Sequence, residues 1–458
     1  MMRNVTRISG LTALGAMGAV LAALPAWAQE AVTETTEGAA EVVAEVVDTM
    51  DKGDVAWMMV STLLVLFMVM PGLGLFYGGL VRAKNMLSVL MQMTVIVAMV
   101  VVIYIFWGYS MAFGDLASPY WGGLGKAFLA GVTIDSMAAT FSAGVVIPEY
   151  IFIAFQMTFA CVTAALIVGA FAERVKFLPL MVFIAAWVTL VYFPIAHMVW
   201  DGDGLIYNWG ALDFAGGTVV HINAGIAGLV GAIIIGKRLG YGKENMAPHS
   251  MTMTMIGASM LWVGWFGFNA GSNLEATGGA ALAVINTFTA TAGAILTWVV
   301  IELALRGKAS MLGAVSGMIA GLVAITPAAG FAGPVGAIML GAVSSAVCYF
   351  FVAVVKHRLG YDDSLDVFGI HGIGGIVGAL GTAVVNMPGF GGIHYGGLSM
   401  GAQLMIQFQG VAVTVLWCGI ISAVLFLAIR AAFGLRVDEE VEREGLDLSE
   451  HGERAYNM

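Results

Sequence analysis

The sequence predicts an all-α polytopic membrane protein: eleven transmembrane helices, ten of them in a five-plus-five inverted repeat, with an extra C-terminal helix. Three observations predict it. The 458 residues are 60% hydrophobic and only 10% charged, with a mean hydropathy of +0.93, a balance foreign to soluble domains. Apolar runs of about 20 residues, long enough to cross a bilayer as a helix, recur eleven times. The pattern H-x3-G-I-x-G-x2-G begins at His221 and again at His371, 150 residues later. Two equivalent half-domains, each contributing one buried imidazole, would leave that trace.

The chain opens with Arg3 and Arg7, an apolar run from Ile8 to Leu24 and the small-x-small triplet Ala26-Trp27-Ala28. This is the form of a cleaved signal peptide over 1–28, with an uncleaved anchor as the alternative. Residues 29–54 are acidic and lack aromatics, and read as a short mobile tail on the periplasmic side. The membrane domain is expected over 55–433. Its helix cores fall at 56–80, 87–113, 149–172, 178–199, 214–236, 252–273, 280–305, 311–329, 333–355, 366–387 and 402–432. Sixty-one glycines suit helices packed backbone to backbone in lipid. Cys161, Cys348 and Cys418 all lie inside apolar spans and read as small packing residues rather than a disulfide framework. Residues 434–458 are too charged to insert. They form a cytoplasmic tail, either disordered or docked through Leu446, Leu448 and Tyr456.

Eleven spans with the N-terminus outside put fifteen of the Lys and Arg residues that follow the leader inside, among them Arg82, Arg174, Arg238, Lys356 and Arg436. Only Lys52 and Lys126 fall outside. That bias is the positive-inside pattern, and a wrong helix count would scramble it. The fifth and tenth helices then run in opposite directions, as an inverted repeat demands. The net charge of −10 is concentrated in the two ends and says little about partners. No nucleic-acid partner, metal or cofactor is expected.

An ionisable side chain within a span is expensive and usually functional. His221 and His371 are therefore candidates for a path, against the alternative of rings bonded to a neighbouring carbonyl. Counting at helical rise puts His221 nearer the outside and His371 nearer the inside, roughly 9 Å apart along the membrane normal; counting alone does not make them touch. Towards the outer face gather Trp200, Asp201, Asp203, Tyr207, Trp209 and Asp213, with Trp262, Trp265, Phe266, Phe268, Asn269 and Ser272 on helix six and Phe155 and Phe159 on helix three. Aromatic faces attract cations by about 0.5–1 kcal/mol when exposed and about 2 or more when desolvated. A serine hydroxyl accepts a hydrogen bond that a bare metal ion cannot donate. Beyond the aromatics lie apolar walls and imidazole, where an intact ion is penalised by several kcal/mol, roughly. A protonated amine can release its proton and cross neutral; potassium cannot. Asp213, eight residues before His221, is either a helix cap or a direct attractor of the cation. Asp366, five residues before His371, reads as a cap or tail-docking residue.

These stretches resemble the ammonium transporter (Amt/MEP/Rh) family, on its bacterial Amt branch. The resemblance is carried by FYGGLVRAKN (76–85), FACVTAALIVGAFAERVKF (159–177), DFAGGTVVHINAG (213–225), WVGWFGFNAGS (262–272), AITPAAGF (324–331) and DVFGIHGIGG (366–375), together with EGLDLSEHGERAY in the tail. It implies a homotrimer in the cell inner membrane with one pore per subunit, and no enzymatic activity. Trp200, Phe159 and Ser272 would form the outer ammonium site, with Asp213 supporting recruitment. Phe159 and Phe268 would stack as the gate. His221 and His371 would be the twin pore histidines, taken to be in contact on the family's pattern alone, with Trp265 and Thr326 beside them. A PII-type signal protein would bind at the cytoplasmic face. The sequence departs from the family at DGDG after Trp200, an acidic version of a loop that is often glycine-rich. A second reading is an ammonium sensor whose main output is binding a cytoplasmic partner. A hydrolase built on Ser272 is disfavoured, since neither G-x-S-x-G nor H-E-x-x-H is present.

Overall fold

The computed structural model describes residues 48–456. The leader expected over 1–28 and residues 29–47 of the expected tail lie outside that range. Among the described residues, eleven helices are long and apolar enough to cross a membrane: α1 Lys52–Leu80, α2 Ala83–Phe113, α3 Glu149–Phe171, α4 Phe177–Asn208, α5 Gly217–Ile235, α6 Met251–Gly271, α7 Gly278–Arg306, α8 Met311–Ala328, α9 Pro334–Leu359, α10 Phe368–Val385 and α11 Met400–Phe433. Each falls on one of the expected cores. Two short helices, α12 Glu439–Glu444 and α13 Leu446–His451, follow.

Local chemistry sets the helix ends. Asp51 caps α1 by accepting hydrogen bonds from Gly53 N and Asp54 N at 2.7 and 3.3 Å. The helix therefore starts four residues before the expected core, within what the sequence assigned to a tail. Ser250, Ser310 and Ser399 cap α6, α8 and α11 in the same way. Pro71 lacks the N–H a regular turn needs, and α1 loosens there into a π-turn over Met68–Leu73. A small sheet joins β1 Thr49–Met50, just before α1, to β2 Met137–Ala139 and β3 Val145–Pro148 of the connection between α2 and α3, in the order β1-β3-β2. β1 runs parallel to β3 and β2 antiparallel to it. So residues 49–50 are paired with a loop rather than free.

The helices sort by burial into an inner and an outer set. Among their most apolar stretches, 78% of α8 and 72% of α3 and α5 are buried, against 33% of α7 and α9 and 28% of α11. At the centre α5 crosses α10, and glycine permits it. A Cβ on Gly225 would lie 2.3 Å from Gly372 Cα, and one on Gly375 would meet Ile222 N at 3.1 Å. Gly225 and Gly375 are 150 residues apart, as are Ile222 and Gly372, so the two contacts are the same contact seen from each half. Both helices open with a π-turn, over Gly217–Ile222 and Phe368–Gly372, and each π-turn carries a histidine. Gly216 enters the first at φ 104°, a left-handed backbone that a side chain would strain.

The end of the bundle away from the sheet is closed by charge. Glu173 takes Arg82 at 2.8 Å and Arg238 at 3.1 Å; Arg238 also binds Asp362 at 2.8 Å. Burial alone would raise the Glu173 and Asp362 carboxyls. The arginines overcome it, Arg238 and Arg82 at Glu173 and Arg238 and Arg174 at Asp362, and hold both below the usual carboxylate range. The tail is docked against this cluster. Glu442 accepts from Leu239 N and pairs with Arg436, each at 2.7 Å. Leu446 is fully buried, its N–H given to Asn85 Oδ1 at 2.9 Å. Asp447 accepts from Ser88 N at 2.8 Å, and the Tyr456 hydroxyl sits 2.8 Å from His249 Nε2. Of the three residues expected to dock, Leu446 and Tyr456 do so and Leu448 is half-buried.

Candidate functional site

Asp213 and Asp363 build the site by starting the two central helices inside the protein. Asp213 Oδ1 accepts from Gly216 N and Gly217 N at 3.0 and 2.6 Å, and Oδ2 from Thr218 N and Val219 N at 2.9 and 3.2 Å. All four orphan donors of the first turn are thus satisfied out of reach of water, and the carboxylate is only 8% exposed. Of the two roles considered for Asp213, the structure displays the cap. Asp363 repeats the arrangement, accepting from Val367 N at 3.0 Å and Phe368 N at 2.8 Å. It lies eight residues before His371, as Asp213 lies eight before His221. Asp363 is therefore the mate of Asp213. Asp366, which the sequence reading compared with it, instead pairs with Lys356 at 2.7 Å and contacts no tail residue through that bond. Counting back eight residues from each histidine would have found Asp363.

Because both helices begin below the surface, their histidines meet. His221 Nδ1 and His371 Nδ1 are 3.2 Å apart, with ring centroids separated by 5.3 Å. The separation of roughly 9 Å obtained from helical rise does not hold, since counting assumed that each helix begins at a membrane face. At 3.2 Å one ring must donate and the other accept, so the two imidazoles hold complementary tautomers. His221 Nε2 is buried without a partner. His221 also stacks on Trp265 at 5.3 Å, and Trp265 Nε1 donates to Thr326 Oγ1 at 3.0 Å, which fixes the indole.

Above the histidines the aromatics converge. Phe159 of α3 and Phe268 of α6 stack at 4.2 Å and 22°. Phe268 lies 6.0 Å from His221, and Trp200 stands edge-on to Phe159 at 5.8 Å. Trp200 Nε1 is committed to Asp213 O at 2.9 Å, which holds the indole and leaves its face as the available surface. Ser272 donates to Phe268 O at 2.8 Å, so its oxygen keeps lone pairs for an N–H donor. Below, His371 lines a cavity of about 200 Å³ together with Ile370, Ile319, Phe76, Lys356 and Asp366. Not every sequence candidate belongs. Trp262 and Phe266 pack on Phe288, which is 47% exposed, Tyr207 is exposed, and Asn269 ties α6 to α7 through Thr287 at 2.9 Å.

The model of the Ammonium Transporter Family matches residues 56–456. The chain belongs to that family. An ammonium transporter of Aquifex aeolicus is 48% identical over 416 residues, 89% of this chain and 94% of its own length. One of Bacillus subtilis is 46% identical over 414 residues, covering 89% and 99%. Among solved structures, a Sensor Amt Protein superposes with a TM-score of 0.80 at 28% identity, over 87% of this chain and 98% of its own. Saccharomyces cerevisiae Mep2 superposes at 0.75 with 34% identity, over 86% and 90%. Ammonium is thus the substrate of this membrane domain, and family membership makes the chain a transporter or channel rather than an enzyme.

Proposed function

We propose that ammonium is recruited at Trp200, Phe159 and Ser272, deprotonated at the Phe159–Phe268 gate, and passed as ammonia along His221 and His371 to the cavity beyond. The observation that carries this reading is the contact between the two Nδ1 atoms directly beneath a stacked phenylalanine pair. The aromatic faces and the Ser272 oxygen suit a small cation with N–H donors. The stacked rings leave an ion no polar partner, which favours the neutral species below them. Asp213 adds fixed negative charge without surrendering an oxygen, since its cap uses both. His221, 6.0 Å below Phe268, is the base nearest the gate.

The orientation that puts the Trp200 end in the periplasm and the tail in the cytoplasm of an inner-membrane protein rests on the charge of the loops. A cleaved leader rests on the charged start, apolar run and small-x-small triplet of residues 1–28; a homotrimer and a PII-type partner at the cytoplasmic face rest on the family resemblance. The test is methylammonium uptake in cells expressing His221→Ala or His371→Ala. Slowed uptake, or entry of potassium, is expected; unchanged rate and unchanged exclusion of potassium would remove the histidines from the mechanism.

The docked tail favours a second reading, a sensor whose output is recruitment of a cytoplasmic partner, and a neighbour described as a Sensor Amt Protein is in keeping with it. Deleting residues 434–458 should then abolish recruitment of PII-type protein more than uptake. Recruitment that survives the deletion sinks this version.

A further inference from the structure

We propose that the Lys356 ammonium occupies, from within the chain, the inner counterpart of the outer cation site, so that ammonium has a resting place at only one mouth of the passage. The proposal rests on the passage described above and adds a difference in affinity between its two mouths. The repeat pairs α1 with α6, α3 with α8, α4 with α9 and α5 with α10. At the outer mouth Phe268 of α6, Phe159 of α3 and Trp200 of α4 gather above Asp213 and His221. At the inner mouth the equivalent helices supply Phe76 of α1, Ile319 of α8 and Lys356 of α9, around Asp366 and His371.

So where α4 presents a ring that could hold an ammonium, α9 presents an ammonium. Lys356 Nζ lies 2.7 Å from Asp366 Oδ1, and the lysine is only 9% exposed. Asp366 holds φ at 59°, in the left-handed region that aspartate enters more readily than most side chains. A carboxylate set beside a wall of aromatic and aliphatic side chains needs a cationic partner, and is a ready cation site. The tethered amine fills it permanently, so a free ammonium arriving at either time or from either side finds it taken. Ammonia leaving past His371 then reaches no binding site before the solvent.

The experiment uses the purified full chain with methylammonium as the probe and sodium as the control. In Lys356→Ala the site is emptied and its carboxylate left without a partner. Methylammonium should then bind on the order of tenfold more tightly than to wild type, the scale of one hydrogen bond to a charged group. It should also raise the melting temperature of the variant more than that of wild type. In Lys356→Ala/Asp366→Asn both gains should vanish. Equal methylammonium responses in wild type and Lys356→Ala overturn the proposal. So does a Lys356→Ala chain that is unfolded without amine and stays unfolded at saturating methylammonium. Wild-type protein that moves no methylammonium into proteoliposomes would instead overturn the passage itself, whatever Lys356 does.

Discussion

Asp213 spends both oxygens on four backbone donors, and the amide of asparagine cannot replace it. Asn would offer one accepting atom and turn an NH2 group towards two of those N–H groups, leaving them buried and unpaired at about 1–3 kcal/mol each. Asp213→Asn is therefore expected to lower the melting temperature and to impair uptake as well, because Trp200 hangs from the Asp213 carbonyl. A melt like that of wild type would mean the cap matters less than its four bonds suggest. At this scale much of the site was legible beforehand. Sequence pattern or resemblance singled out the repeated histidines, Trp200, Phe159, Phe268 and Ser272, and the structure gathers Trp200, Phe159 and Phe268 above the histidine pair, with Ser272 bonded to the Phe268 carbonyl. Asp363 was missed because Asp362 and Asp366 flank it; the shared spacing of eight residues to the histidine singles it out, and the hydrogen bonds show that it caps while its two neighbours pair with arginine and lysine.

Helices α5 and α10 touch where neither has a side chain. Gly225→Ala would drive a methyl group to within 2.3 Å of Gly372 Cα, backbone against backbone with nothing flexible to move. The expected result is a widened crossing and an opened histidine pair, seen as loss of uptake and of several kcal/mol, roughly, in stability. Gly401→Ala on α11 meets nothing within 4 Å and should be neutral or stabilising by about 0.5–1 kcal/mol. If the two variants melt alike, the crossing is not what glycine protects. Span positions were predictable because bilayer thickness dictates the length of an apolar run. The strand at Thr49–Met50 and the capped turn at Asp51 were not: a short polar segment carries no periodic signal, and its order comes from pairing with β3, some 95 residues away in sequence.

The whole molecule balances two kinds of buried carboxylate, and its stability should depend on pH accordingly. Burial raises Asp363 to about 6, with Lys356 opposing and Asp366 assisting, and burial also raises Asp213 and Asp447 against their backbone hydrogen bonds. A raised carboxyl binds its proton more readily folded than unfolded, so these groups add stability as pH falls from neutral towards their unfolded values. Glu173 and Asp362 are held below theirs by arginines. Their contribution is present above the unfolded carboxylate range, near pH 4, and is lost as pH falls through their lower folded values. Melting temperature should accordingly peak at mildly acid pH and drop steeply below about pH 4. Glu173→Gln should move the onset of that drop, while a monotonic decline from pH 7 would contradict the balance.

The number of spans, their order, the asymmetry of the loop charges and the doubling of the histidine helix were all determined by the sequence, because each depends only on composition and spacing along one chain. The meeting of the two imidazoles was decided by the tertiary structure. Helical rise measures distance along an axis from an assumed starting plane, and here two buried aspartates move that plane inwards while paired glycines let the axes cross. No property of either segment alone contains that geometry; it arises when the halves pack.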